Sequence, residues 1–64
     1  MPNDPPEGRE IYFEFTGIGR TMKVSAIDAA TGTEVSIVGP ATASQADLQR
    51  LALQKLQARL KARG

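Results

Sequence analysis

The chain has no cysteine, no histidine and no tryptophan, and its aromatic content is one tyrosine and two phenylalanines in 64 residues. Without cysteine there is no disulfide to staple a small domain and no thiol nucleophile. Without histidine the commonest general base is missing, and metal sites built on imidazole or thiolate are excluded with it. No apolar run approaches the roughly 18–20 residues that span a bilayer. Met1-Pro2-Asn3-Asp4-Pro5-Pro6 offers neither a basic start nor an apolar core, so no signal peptide is expected. These absences predict a soluble, cytoplasmic protein without catalytic activity, metal or cofactor.

Hydrophobic residues at 41% and charged residues at 23% are ordinary globular values. A chain of this length makes one domain and buries only about 60% of the surface exposed when unfolded. Self-association would add burial that the single chain lacks. The formal net charge of +1 conceals an asymmetry. Asp4, Glu7, Glu10 and Glu14 lie near the start against Arg9. Arg50, Lys55, Arg59, Lys61 and Arg63 lie near the end against Asp47. Cations in the last turns of a helix complement its macrodipole, which is reason enough for that placement.

One stretch reads as helix, from about 44 to 63. Leu48, Ala52, Leu56 and Leu60 recur every fourth residue and make one apolar face, with Leu51 and Leu53 flanking it on opposite sides. Ser44 is a cap residue and Asp47 can answer it, while Thr42 with Gln45 offers a competing start. Such a face needs a cover, and the β-patterned segment before it is the candidate.

Residues 1–8 are rich in proline and acid and are expected to form a disordered tail; residues 9–64 form the domain. Pro2 and Pro5 have the spacing of a groove-binding PxxP motif, but plain disorder accounts for one instance. From about 10 to 17, Ile11, Phe13 and Phe15 alternate with Tyr12, Glu14 and Thr16, the pattern of a half-buried strand. Gly17-Ile18-Gly19 reads as the hairpin loop. A second strand, about 20–28, places Met22, Val24 and Ala26 on one face and Thr21, Lys23 and Ser25 on the other. Ile27 is assigned to the open face in preference to a bulge. Asp28 to Thr33 reads as a turn with Gly32 in a left-handed position. The third strand, about 33–38, turns Val35 and Ile37 inward, and Gly39-Pro40 stops it. The predicted fold is α+β: a three-stranded antiparallel meander packed on one C-terminal helix. Its core comprises Ile11, Phe13, Phe15, Met22, Val24, Ala26, Val35, Ile37, Leu48, Ala52, Leu56 and Leu60.

Asp28 and Glu34 flank one turn and could approach each other, although turn and surface roles suffice for both. Gly17-x-Gly19 lacks the third glycine and the following helix of a dinucleotide loop. Ser25, Ser36 and Ser44 have no histidine to activate them.

What remains is surface. The open sheet face carries Tyr12, Glu14, Thr16, Lys23, Ser25, Ile27, Glu34, Ser36 and Val38, with Tyr12, Ile27 and Val38 as apolar anchors. Leu51 and Leu53 extend the apolar arc of the helix. The first strand lies at a sheet edge and is unusually apolar, and unprotected edges pair with other chains. The best reading is a small protein-interaction module, a homodimer or an accessory subunit, with Tyr12, Ile27, Val38, Leu51 and Leu53 as candidate interface. The alternative is weak, non-specific nucleic-acid binding through Arg50, Lys55, Arg59, Lys61 and Arg63. Near-neutral charge and the lack of interleaved aromatics make it the weaker of the two.

Glu10 to Phe15, Met22 to Asp28 and Thr31 to Pro40 together resemble a family of short bacterial proteins, known mainly from alphaproteobacterial genomes and built on a domain of unknown function. The resemblance spans most of residues 9–60. Some members carry a serine hydroxymethyltransferase label, and a chain of this size has no room for that enzyme's pyridoxal phosphate site, so the label is read as a transferred error. The resemblance implies a bacterial, cytoplasmic protein and carries over no functional residues.

Overall fold

A computed structural model describes residues 10–63. The expected tail, residues 1–8, lies outside them. Three strands, β1 (Ile11–Ile18), β2 (Thr21–Asp28) and β3 (Glu34–Pro40), precede one helix, α1 (Gln45–Arg63). The strands pair antiparallel in the order β1-β2-β3, so the α+β meander read from the sequence is the fold.

The first hairpin corrects one expectation. Gly17 and Ile18 are not loop but the end of β1, paired with Met22 and Thr21. The turn is Gly19-Arg20 alone. Gly19 has φ +58°, and both turn types favoured in two-residue hairpins require positive φ at this first position. The Thr21 hydroxyl donates to the Ile18 carbonyl at 2.7 Å and ties the turn closed.

The second hairpin is held by Asp28, which is fully buried rather than at the surface. Its side chain shares the inner face with Met22, Val24 and Ala26, two residues apart along β2. Thr31 Oγ1 donates to Asp28 Oδ2 at 2.7 Å and lies 2.8 Å from Thr33 Oγ1. The Gly32 N–H donates to the Asp28 carbonyl at 2.8 Å, with Gly32 at φ +73° as the turn chemistry predicts. Glu34 pairs with Ile27 on the opposite face, so the sheet separates Asp28 from Glu34. Ile27 occupies the open face, and the register runs through it without a bulge.

β3 also runs further than expected, to Pro40 opposite Thr21. Proline is tolerated at this last position because β3 is an edge strand with its other side unpaired. Gly39 is a packing glycine rather than a stop. A Cβ there would stand 2.5 Å from Leu48 Cδ2, so the bare backbone lets the helix settle onto β3.

The helix starts where its cap predicts. The Leu48 N–H donates to the Ser44 carbonyl at 3.0 Å, and the Asp47 N–H points at Ser44 Oγ at 3.4 Å. Asp47 turns its carboxylate to Arg50, also at 3.4 Å. The buried core is Val24, Ala26, Val35, Leu48, Ala52 and Leu56. Ile11, Phe13, Met22, Ile37, Ala43 and Leu60 pack around it.

The helix lies across β2 and β3. A helix about 10 Å across, on strands about 4.8 Å apart, covers two of them and leaves the third. That third is β1. Its inner-face residues Ile11 and Phe13 are half-buried, and Phe15, expected in the core, is 37% exposed.

Candidate protein interface

The sheet has two edges of different character, and the ladder shows why. In an antiparallel pair, residues alternate between bonding across the ladder and pointing away from it. The Ala29 N–H donates to the Glu10 carbonyl, and the Asp28 N–H to the Thr33 carbonyl. With the registers, this phase directs the backbone of Glu10, Tyr12, Glu14 and Thr16 toward β2. The N–H and C=O groups of Ile11, Phe13, Phe15 and Gly17 therefore point away from the sheet. By the same alternation, those of Glu34, Ser36 and Val38, with the Pro40 carbonyl, point away on the β3 side.

On the β3 side these groups are partly taken. Lys55 Nζ donates to the Ser36 carbonyl at 2.7 Å. The Ala43 N–H donates to the Pro40 carbonyl at 3.0 Å, and Pro40 itself has no N–H to offer. An inward-reaching lysine and a terminal proline are two standard means of blunting a sheet edge. On the β1 side, no bond from any described residue reaches the outward groups of Ile11, Phe13, Phe15 or Gly17. No lysine, proline or bulge interrupts this eight-residue edge.

The open sheet face is arranged in cross-strand rows: Tyr12–Ile27–Glu34, Glu14–Ser25–Ser36 and Thr16–Lys23–Val38. Tyr12 and Ile27 are directly opposite and form one apolar pair, with Tyr12 53% exposed. Val38, 65% exposed, stands two rows away beside Lys23. The row between them is polar, and its Ser25 and Ser36 hydroxyls meet at 2.9 Å. Tyr12 also donates to Glu10 Oε2 at 3.1 Å. That bond, and the nearby carboxylate charge, hold the Tyr12 phenol above its ordinary value.

Leu51 and Leu53 fall on opposite flanks of the helix. Leu51 is one turn before Lys55 and so lies on the β3 side, 52% exposed. Leu53 is half-buried, and by helical spacing it lies on the flank away from Leu51 and Lys55. The five expected anchors therefore form no single patch. A strip comes instead from Ile11, Phe13 and Phe15, alternate residues on the inner face of β1 beside its open edge. The sequence reading placed these three in the core; Ile11 and Phe13 do pack against it, half-buried, whereas Phe15 is 37% exposed, and the signal it lacked there was the width of the helix relative to three strands.

The basic residues do not converge either. Lys55 is engaged with Ser36 and Arg50 with Asp47. Arg50 and Lys61 are about three turns apart on one line of the helix, and Arg59 is on another side. The side chain of Arg63 lies outside the described ones. Among the described residues no helix is long and apolar enough to cross a membrane.

Among the described residues, fold and edges together define a small sheet-plus-helix domain with one blunted edge and one open edge. By its sequence, the chain belongs to the family described as a domain of unknown function, DUF6898, whose model matches residues 8–63. No curated protein and no solved structure matches the chain.

Proposed function

We propose that the protein is a non-catalytic interaction module that accepts a β-strand from another chain along β1. The observation that carries this reading is the contrast between the edges: β3 is met by Lys55 and ended by Pro40, whereas β1 presents the outward backbone of Ile11, Phe13 and Phe15. Strand addition supplies main-chain hydrogen bonds to such an edge, and alternate side chains supply selectivity. The half-covered side chains of the same three residues would gain cover from the added strand and whatever packs on it. Burying a large apolar side chain fully is worth roughly 1.5–3 kcal/mol, and these begin half-buried. The reading keeps the bacterial, cytoplasmic setting implied by the family resemblance.

Amide hydrogen exchange on labelled protein tests this reading, in concentrated pure solution and, separately, diluted into extract of its native cells. The amides of Ile11, Phe13 and Phe15 are expected to gain protection in at least one condition, while those of Glu34 and Val38 do not. Unprotected β1 amides in both conditions would contradict it.

A further inference from the structure

The β1 sequence is complementary to itself in one register, and from this we infer that the strand added at β1 is the β1 of a second copy, running antiparallel with Phe13 opposite Phe13. This rests on the strand-accepting reading of β1. Because Ile11, Phe13, Phe15 and Gly17 carry the outward groups, a second β1 must set odd-numbered residues opposite odd-numbered ones. Few registers satisfy that condition, and charge separates them. Phe13 opposite Phe15 places Glu14 directly against Glu14. Phe13 opposite Ile11 places Glu10 against Glu14. Like charges facing each other across a ladder are destabilising. Phe15 opposite Phe15 carries Ile11 past the end of the partner strand to its Gly19 turn.

With Phe13 opposite Phe13, Ile11 faces Phe15 on the helix side, twice by symmetry. On the open face Glu14 stands opposite Tyr12 and Glu10 opposite Thr16, so no carboxylate is directly opposite another. The result is a two-fold, six-stranded sheet with both helices on one side. Ile11, Phe13 and Phe15 of the two copies then lie adjacent between the helices. Assembly stops at two chains because the outer edges of the new sheet are both β3, each blunted by Lys55 and Pro40.

The absence of cysteine makes a clean cross-linking test possible. Tyr12 and Glu14 are exposed on the open face, so Tyr12→Cys and Glu14→Cys leave the core untouched. In the inferred register, position 12 of one copy opposes position 14 of the other, as a non-hydrogen-bonded pair with Cα atoms about 4.5 Å apart. Like positions are diagonal neighbours about 7–8 Å apart, beyond the usual disulfide span. Under mild oxidation, an equimolar mixture of the two variants should yield a species of doubled mass, and Tyr12→Cys alone, which keeps every carboxylate of the edge, should not. Cross-linking of Tyr12→Cys alone would overturn the register. No cross-link in any sample, with light scattering giving the mass of one chain, would overturn the second copy as occupant. Protection of the β1 amides in cell extract would then still support the strand-accepting reading, so the two failures are distinguishable.

Discussion

Lys55 reaches from the middle of the helix to the outward-facing carbonyl of Ser36, 2.7 Å away, and closes the centre of one sheet edge. The contact spans 19 residues of sequence and joins an exposed side chain to a backbone group that the ladder leaves unused. Its energetic contribution to the fold is small, because an exposed amine exchanges one hydrogen-bond partner for water. Its larger effect is on what the edge can accept. An ammonium group over a strand edge must be desolvated or displaced before a second strand can dock there.

Lys55→Met should therefore change assembly more than stability. The unfolding free energy is expected to move by no more than about 1 kcal/mol. With both edges then available, solutions should contain species larger than those formed by the parent chain. Size exclusion with light scattering at matched concentrations checks this, and an unchanged size distribution would remove Lys55 from its edge-closing role.

Gly39→Ala should destabilise the protein, because the added methyl group meets Leu48 Cδ2 at 2.5 Å in a buried contact. The expected cost is roughly 1–3 kcal/mol, the range for an overpacked core. Shortening the obstructing side chain with Leu48→Val should make the same Gly39 change cheaper. A double-mutant cycle in urea reads this coupling, and strict additivity would mean that the helix seats itself on β3 by other contacts.

Thr31→Val keeps the shape of the second hairpin and removes the hydroxyl that joins Asp28 and Thr33. With Asp28 fully buried, losing that donor should cost roughly 1–3 kcal/mol. Thr31→Ser should retain most of the stability. The urea midpoints of the two variants, compared with the parent, decide whether the hydroxyl or the methyl group matters.

The Tyr12 phenol should titrate above the ordinary tyrosine value of 10.0, because its proton is shared with Glu10 and the carboxylate repels a phenolate. The folded value is raised, so the bond's contribution to stability is complete below pH 10.0 and is lost as pH climbs through the raised value. Glu10→Gln should lower the midpoint. Ultraviolet difference titration reads it directly, and identical midpoints in the two proteins would show that the bond is absent in solution.

The elements themselves could be read from the residues. The alternation from Ile11 to Thr16, the inner face of Met22, Val24 and Ala26, the Gly32 turn and the Ser44 cap all stand where periodicity and turn chemistry place them. Three features could not be read so simply. Gly17 and Gly19 look alike as turn signals, and only the pairing of Ile18 with Thr21 shows which one turns the chain. Gly39-Pro40 looks like a stop, yet an edge strand tolerates a terminal proline. The close approach of Leu48 to the bare backbone of Gly39 is a tertiary contact, and periodicity carries no information about it. Asp28 was legible in principle, since it continues the inward-facing positions of β2. An acidic residue at the end of an apolar face is easily assigned to the surface when its partner hydroxyls belong to a turn.

The most direct test of the open β1 edge as a site for a second copy is the solution mass by light scattering across a wide concentration range. It should be measured for the parent chain and for Phe15→Lys. Phe15 is 37% exposed on β1, so the lysine is tolerated by the fold and places a charge on the pairing edge. The account predicts that the parent passes from one chain to two as concentration rises, while Phe15→Lys stays at one chain with an unchanged circular dichroism spectrum. A parent chain of single-chain mass at every concentration would contradict it.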